Sequence, residues 1–310
     1  LCYLELLQLF ATPYSDTAHP AGIILKDRVE REELPRSPKV EVADRIKALL
    51  TEAITALAAS GTPAHGSAPG FLGLEAAKVI LARLCVYQGD WSGAEEATTG
   101  LTSGQITRSL IPEQIADWRS GDQRFALFAS TVPSSYFSRI YLQESNKKGS
   151  LAYQLPRSLY LETGDLRRRS YVVDSTLVVD ATTTRALQLP GKYVQLILER
   201  NNPTQAYVVR RSEEVFLRAE ALARLGREDE ARTLLNVYLS ACYATPIASS
   251  HTGTQLLEDI LHEKQREFAG ESLRFYDLKR LGLPIVHYSP NEVRISLTIP
   301  CLLYTSDAAD

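Results

Sequence analysis

Two segments of this 310-residue chain share a spacing of small residues that limits how the chain can fold. The segments are LARLCVYQGDWSGAEEA (Leu81 to Ala97) and LRAEALARLGREDEARTLL (Leu217 to Leu235). Each places one alanine seven residues before a glycine and another alanine five residues after it. Small side chains at these positions let two antiparallel helices approach closely, and the glycine supplies a left-handed residue that ends the first helix. Both segments are therefore predicted to be helical hairpins.

The two hairpins follow the pattern of tetratricopeptide-type repeats. The equivalent positions are Ala82, Gly89 and Ala94 in the first copy and Ala219, Gly226 and Ala231 in the second. Two imperfect copies far apart do not form an array, so a pair of ordinary helical hairpins is the alternative interpretation. Further helices are predicted at Leu1 to Phe10, which Pro13 ends, and at Val40 to Leu57, where apolar residues recur every three or four positions.

The middle of the chain, from about Leu101 to Pro203, loses this helical periodicity and accumulates aromatic residues and turn formers. Short β-rich runs occur at Tyr171 to Val179 and Tyr193 to Leu198. Long irregular segments of this kind usually carry function. The predicted fold is therefore mainly α: a tetratricopeptide-like helical-hairpin scaffold, or α-α superhelix, with a long irregular loop-rich ligand face.

A highly charged segment, EKQREFAGESLRFYDLKR, runs from Glu263 to Arg280. Apolar residues around it keep helical spacing, which predicts one long amphipathic helix from Thr254 to Leu281 that Gly282 and Pro284 end. The apolar positions are Leu257, Ile260, Leu261, Phe268, Phe275 and Leu278.

Three interpretations of this charge were compared. A glycosidase needs two carboxylates that flank a cleft, whereas Glu263, Glu267 and Glu271 share one face of the predicted helix. A di-metal site needs Glu-x-x-His motifs on two helices, and only Asp259-x-x-His262 is present. The structural interpretation pairs the acids with interspersed and neighbouring bases, and it is favoured because Arg and Lys would neutralise a carboxylate meant to act as an acid or base.

Composition excludes several function classes. A formal net charge of −3 offers no surface for a nucleic-acid backbone. No apolar run approaches the roughly 18 residues that a membrane-spanning helix needs. The four cysteines are too far apart for a zinc site. Hydrolase and phosphate-loop motifs such as G-x-S-x-G and H-E-x-x-H are absent, so neither an enzyme, a metal nor a cofactor is predicted.

The charged segment also resembles the C-terminal signature of the SusD/RagB family, a pattern close to E-R-x-x-E-[LF]-x-x-E-x-x-R-[WF]-x-D-L-x-R. The matching residues are Glu263, Glu267, Phe268, Glu271, Arg274, Phe275, Asp277, Leu278 and Arg280, with Lys264 where Arg is usual. The two hairpins and the short Asp165-x-Arg167 element resemble family segments and occur in the same order along the chain as they do in that family. The resemblance spans Leu1 to about Ile295.

This resemblance implies a scaffold of four tetratricopeptide-like helix pairs and a non-catalytic role for the protein. Family members are lipid-anchored on the outer surface of Gram-negative bacteria. There they bind oligosaccharides, or in some cases peptides, and deliver them to a SusC-like TonB-dependent outer-membrane transporter. The resemblance also implies that Glu263, Glu267, Glu271, Arg274 and Asp277 form a structural signature.

Sugar binding of this type needs aromatic faces against pyranose rings and a few polar side chains for the hydroxyls. The predicted ligand-binding residues are Trp118, Tyr136, Tyr141, Tyr153 and Arg157, all in the irregular middle region. The alternative function is an intracellular tetratricopeptide-like adaptor that binds peptides in the groove of its helices. That alternative explains the hairpins but leaves the charged signature and the aromatic region unexplained.

The chain contains no methionine, which suggests an internal piece of a longer protein without its signal peptide and lipid-anchor cysteine. Residues 1–300 are predicted to form a single helical domain with a loop-rich insert at about 101–205. The last ten residues, CLLYTSDAAD, continue no periodic pattern and are predicted to be a non-native tail.

Overall fold

The computed structural model describes residues 1–26, 28–29, 33–60, 72–101, 123–129, 157–160, 164–178, 184–190, 204–288 and 293–295. The predicted tail at 301–310 and the β-rich run at Tyr193 to Leu198 lie outside these residues. In several of the strands the structure describes the backbone alone.

Helices dominate the described residues, which confirms the predicted mainly α fold. In chain order they are α1 (Cys2–Phe10), α2 (Lys39–Ala59), α3 (Leu74–Gln88), α4 (Trp91–Thr98), the short α5 (Arg168–Tyr171), α6 (Arg211–Arg224), α7 (Glu228–Cys242), α8 (Gly253–Glu267) and α9 (Leu273–Arg280). In the part of the chain that is described, no helix combines the length and the apolar character needed to cross a lipid bilayer.

Both predicted hairpins are present. Gly89 ends α3 and Gly226 follows α6, and their φ angles of 76° and 79° lie in the left-handed region that glycine adopts at low cost. The small residues Ala82, Ala94, Ala219 and Ala231 are fully buried. Because these side chains are so short, α3 lies close against α4, and α6 against α7.

The two hairpins pack directly on each other although the loop-rich insert separates them in sequence. Helix α3 also packs on α2, α4 packs on α6, and α6 packs on α8. Arg218 of α6 donates to Glu95 Oε1 of α4 at 2.8 Å, and the Arg224 guanidinium lies over the Trp91 ring. The insert therefore leaves the helical scaffold at α4 and returns to it at α6, two elements that touch.

Helix α2 forms as predicted, but its buried face differs slightly from the predicted one. Val42, Ala43, Ile46 and Leu50 are buried, whereas Val40 is 56% exposed. Val40 lies in the first turn of α2, and its side chain points away from the core that α1 and α3 form with α2. In this first turn, a spacing of three or four residues between apolar positions does not show which side of the helix is buried.

The described residues also contain short paired strands, four of them in the insert or at its end and two after α9. The strands are β1 (Gln123–Ala129), β2 (Val172–Val178), β3 (Thr184–Pro190), β4 (Thr204–Arg210), β5 (Val286–Tyr288) and β6 (Val293–Ile295). They form antiparallel pairs, β1 with β4, β2 with β3, and β5 with β6. The first predicted β-rich run is confirmed as β2, while the pairing of β1 with β4 was not predicted.

The prediction of one long helix from Thr254 to Leu281 is wrong. Helix α8 ends at Glu267 and α9 begins at Leu273. Between them Gly270 and Ser272 have φ angles of 84° and 67°, which no α-helix contains. The apolar spacing runs through the break because Phe268 and Phe275 still contribute apolar surface on either side of the turn.

The backbone of Ser272 is strained in this turn, because a residue with a Cβ atom is about 1 to 2 kcal/mol less stable in the left-handed region. Its side chain is exposed. We expect Ser272→Gly to raise the free energy of unfolding by about 0.5 to 1 kcal/mol, because glycine removes the strain but loses more backbone entropy on folding. Urea unfolding measures this. The control is Ser240→Gly, at an exposed position inside α7, which should lower the free energy of unfolding. If both variants had a lower free energy of unfolding than the parent, Ser272 would not be strained.

The described cysteines differ sharply in expected reactivity. Cys2 is exposed, while Cys85 and Cys242 are buried. Burial raises the pKa of the Cys85 thiol to about 11, with a smaller contribution from Asp90, and that of Cys242 to about 12. At pH 8 we expect iodoacetamide to label Cys2 in the native protein and the two buried thiols only after unfolding, because the thiolate is the reactive form. Peptide mass mapping shows which cysteines are labelled. Labelling of Cys242 in the native protein would contradict its burial.

Candidate functional site

Charged residues occupy core positions of α8. Its buried face consists of Leu256, Ile260, Glu263, Lys264 and Glu267, which is the spacing of an ordinary apolar helix face. Buried charges are tolerated only when they are paired and hydrogen-bonded. The partners of these three charges therefore show what the signature does.

Glu267 and Glu271 both bind Arg210, the last residue of β4. Arg210 Nη1 donates to Glu267 Oε1 at 2.8 Å, and Arg210 Nε donates to Glu271 Oε2 at 2.7 Å. The Arg210 guanidinium also lies 4.4 Å from the centre of the Phe268 ring. Tyr171 donates its hydroxyl to Glu267 Oε1 at 2.9 Å, and Tyr238 of α7 donates its hydroxyl to Glu267 Oε2, so β4, α5 and α7 converge on one carboxylate.

Glu263 binds Arg167, whose side chain is fully buried. Arg167 Nη2 donates to Glu263 Oε2 at 2.7 Å and to Asp165 Oδ2 at 2.8 Å. Asp165 Oδ1 also accepts from the Arg167 backbone amide at 2.9 Å. Asp165 of the Asp165-x-Arg167 element is thus a buried partner of Arg167. On its other oxygen Glu263 accepts from Arg266.

Asp277 of α9 lies between two cations. Lys264 Nζ donates to Asp277 Oδ1 at 3.0 Å, and Arg280 Nε donates to the same oxygen at 2.9 Å. Burial on its own would raise the pKa of Asp277, but the charges of Lys264 and Arg280 outweigh it and hold the pKa below its usual value. Arg280 also donates to both oxygens of Glu220 on α6, at 2.8 and 2.6 Å.

Arg274 differs from the other signature residues. It lies half-buried on α9 and forms no ion pair with the residues that the structure describes. Burial lowers its pKa, and Asp277 only partly opposes that effect.

A further buried ion pair, which the sequence analysis did not identify, joins α3 to α6. Arg83 Nε donates to Glu213 Oε1 and Arg83 Nη2 to Glu213 Oε2, each at 2.5 Å. Arg83 is 7% exposed and Glu213 is 1% exposed. The signal in the sequence is an arginine within the apolar run Leu74 to Tyr87, because an unpaired cation is not stable at a core position.

This arrangement does not suit acid–base chemistry. Each of the carboxylates of Glu263, Glu267, Glu271 and Asp277 accepts a hydrogen bond from an arginine or a lysine. Burial also raises the pKa of the neighbouring phenols Tyr238 and Tyr243, which keeps them protonated. Groups held in one charge state by close partners cannot easily exchange a proton with a substrate.

The arrangement does hold the insert on the scaffold. Arg266 Nε donates to the Leu159 carbonyl at 2.8 Å, and the Tyr160 hydroxyl donates to the Arg266 carbonyl. Together with the bonds to Arg167, Tyr171 and Arg210, these contacts fix the end of the 3₁₀ turn, α5 with the residue before it, and the end of β4 against α8. We call Glu263, Arg266, Glu267 and Glu271 the clamp.

The predicted ligand-binding residues remain predictions. Trp118, Tyr136, Tyr141 and Tyr153 lie outside the described residues. Arg157 begins a short 3₁₀ turn, Arg157–Tyr160, of which the first part is described by its backbone alone. The end of this turn is bound to the clamp through Leu159 and Tyr160, which places Arg157 close in sequence to an anchored point.

Comparisons with known proteins were made by sequence and by fold. The model of the SusD family matches residues 167–294, a segment that contains Arg167, Arg210 and the whole signature. No curated protein sequence matches the chain.

Several solved structures share the fold. A SusD-like carbohydrate binding protein from Bacteroides vulgatus has a TM-score of 0.70 and 20% identity, over 95% of this chain and 65% of its own. A SusD superfamily protein from Bacteroides fragilis has a TM-score of 0.71 and 22% identity, over 95% of this chain and 68% of its own. A SusD superfamily protein from Bacteroides thetaiotaomicron has a TM-score of 0.71 and 19% identity, over 93% of this chain and 66% of its own.

The chain thus spans about two thirds of the length of the structures it resembles. At these identities the likeness shows a shared fold. The family match over residues 167–294 covers the same residues whose buried ion pairs join the insert to the helices. Residues 167–294 thus match the SusD family, and the chain shares the fold of SusD-like structures.

Proposed function

We propose that this chain is part of a cell-surface binding protein that captures oligosaccharides and delivers them to a SusC-like TonB-dependent transporter in the outer membrane. The observation that carries the proposal is the family match over residues 167–294. It is supported by the fold shared with a SusD-like carbohydrate binding protein over 95% of the chain. A lipid anchor outside this sequence would hold the protein on the membrane.

The geometry supports binding rather than catalysis. The acids of the signature are buried and paired with bases, so the most charged part of the chain acts as scaffold. Capture then falls to the insert, whose aromatic residues offer the flat apolar faces that sugar rings need. The clamp would hold this ligand face in a fixed position and so reduce the entropy lost on binding.

A binding screen of glycans and peptides against the purified protein tests the proposal. We expect a glycan to bind, and we expect replacement of Trp118, Tyr136, Tyr141 and Tyr153 together by Ala to weaken that binding at least tenfold. The reason is that four stacking faces, each contributing about 0.5 to 1.5 kcal/mol, would be lost, and 1.4 kcal/mol corresponds to a factor of ten. Isothermal titration calorimetry measures the affinity.

The matched control is Phe10→Ala, which removes an exposed aromatic from α1, outside the insert. It should leave the affinity unchanged. Melting curves of both variants must match the parent, so that a loss of binding reports the ligand face and not unfolding. An unchanged affinity in the fourfold variant would reject these residues as the site, and binding of peptides alone would reject oligosaccharides as the ligand.

Delivery to a transporter is tested separately. We expect the full-length protein to co-purify from outer membranes with a TonB-dependent transporter, and cells that lack the protein to take up the captured glycan more slowly. A protein found only in the cytosolic fraction would contradict the proposal.

A further inference from the structure

We infer that the helix junction next to the signature contains a built site for one structural water molecule, which joins α1 to α8. The site is a small cavity of about 20 Å³ where α1, α3, α6, α8 and α9 meet. Residues of all five helices line it, and those that matter here are Gln8, Arg83, Glu213, Lys264 and Asp277.

The first observation is the side-chain amide of Gln8. Gln8 is 8% exposed and lines the cavity. Its backbone carbonyl accepts from Lys279 Nζ at 2.8 Å, but its amide forms no hydrogen bond with any residue that the structure describes. A primary amide has two N–H donors and a carbonyl acceptor, and burying it unsatisfied is costly.

The second observation is the ammonium group of Lys264, which lines the same cavity. Lys264 is 5% exposed, and its partner in the described structure is Asp277, with Nζ 3.0 Å from Oδ1 and 3.0 Å from Oδ2. An ammonium group has three N–H donors, and one carboxylate can take at most two of them. At least one donor therefore remains for an acceptor in the cavity.

Size and charge point to a neutral guest. To hold a water molecule, a cavity needs about 10 to 15 Å³ of volume open to the centre of a water-sized sphere. This cavity has about 20 Å³ of that volume, which suits one water molecule. The charged lining residues balance each other: Glu5, Glu213 and Asp277 against Arg83, Lys264 and Arg280. A cation would meet three positive side chains and an anion three negative ones, whereas water can accept from Lys264 and also bond to the Gln8 amide.

Such a water would complete a junction that direct bonds already define in part. Tyr276 of α9 donates its hydroxyl to Glu5 Oε2 of α1 at 2.6 Å. Lys279 Nζ donates to the Gln8 and Leu9 carbonyls, which lie in the last turn of α1, at 2.8 and 2.7 Å. The water adds the link from α1 to α8, and thereby connects the first helix to the charged face that carries the clamp.

A crystal structure of the protein at 1.5 Å or better tests the site. We expect a single water peak within hydrogen-bond distance of both the Gln8 amide and Lys264 Nζ. A cavity without density at that place would overturn the inference. So would anomalous signal there after a bromide soak, because that signal would identify an anion site.

A stability measurement gives an independent test. If water satisfies Gln8, Gln8→Leu removes an anchor of the water and leaves the Lys264 donor unsatisfied, so we expect the melting temperature to fall by about 2 °C or more. If the cavity is dry, Gln8→Leu removes an unsatisfied amide and the melting temperature should stay the same or rise, which would overturn the inference. Gln255→Leu, at an exposed position of α8, is the matched control for the change of side chain.

Discussion

Replacing Glu267 by Ala should lower the free energy of unfolding by about 3 to 5 kcal/mol, because it removes one of the two carboxylates that compensate the buried Arg210 guanidinium and takes an acceptor from two buried hydroxyls. Glu267 is 3% exposed and Arg210 is 2% exposed. In the variant the Arg210 guanidinium keeps the carboxylate of Glu271, while the hydroxyls of Tyr171 and Tyr238 each lose an acceptor. Urea unfolding followed by circular dichroism measures the loss.

The control for this experiment is Glu258→Ala, which removes a carboxylate from an exposed position of the same helix. It should change the stability by no more than about 0.5 kcal/mol. Limited proteolysis adds a second readout, since loss of the clamp should expose the insert to cleavage before the helical hairpins. A Glu267→Ala variant as stable as the Glu258→Ala variant would contradict the clamp.

The second large effect concerns the buried pair of Arg83 and Glu213. We expect Arg83→Met and Glu213→Leu each to cost about 3 to 5 kcal/mol, while the double variant costs clearly less than the sum. Each single change leaves one charge buried without its partner, whereas the double change leaves an apolar contact between α3 and α6. A double-mutant cycle of unfolding free energies measures this coupling.

A matched cycle on Arg232 and Asp229 shows what an exposed pair contributes. Arg232 Nη1 lies 2.7 Å from Asp229 Oδ1, but the Asp229 side chain is 96% exposed. Its coupling energy should therefore stay below about 1 kcal/mol. If the double variant lost as much unfolding free energy as the two single variants together, Arg83 and Glu213 would act independently. That result would contradict the ion pair that their short distances indicate.

The hairpins were predictable because their determinants are local. The left-handed Gly89 and Gly226 and the buried alanines around them follow from spacing within a few residues. Helix α2 was likewise predictable from its apolar period, except for the first turn, where Val40 is exposed.

The distant partners of the buried charges were not predictable from spacing. The sequence predicted pairing within the charged segment and with neighbouring helices, and Lys264 does pair with Asp277. It did not predict that Glu263 binds Arg167 or that Glu267 binds Arg210, residues far away in the chain. Such pairs depend on how the insert returns to the scaffold, which no local pattern encodes. The break between α8 and α9 was missed although Gly270 marks it, because the apolar spacing continues from Phe268 to Phe275 across the turn.

In the proposed function, the charged signature holds the ligand face in place and does not itself touch the ligand. The decisive test is a crystal structure of the protein in complex with a glycan found in the binding screen. We expect the glycan to contact aromatic residues of the insert, and Glu263 and Glu267 to keep their bonds to Arg167 and Arg210. A glycan hydrogen-bonded to those carboxylates in an opened cleft would contradict it.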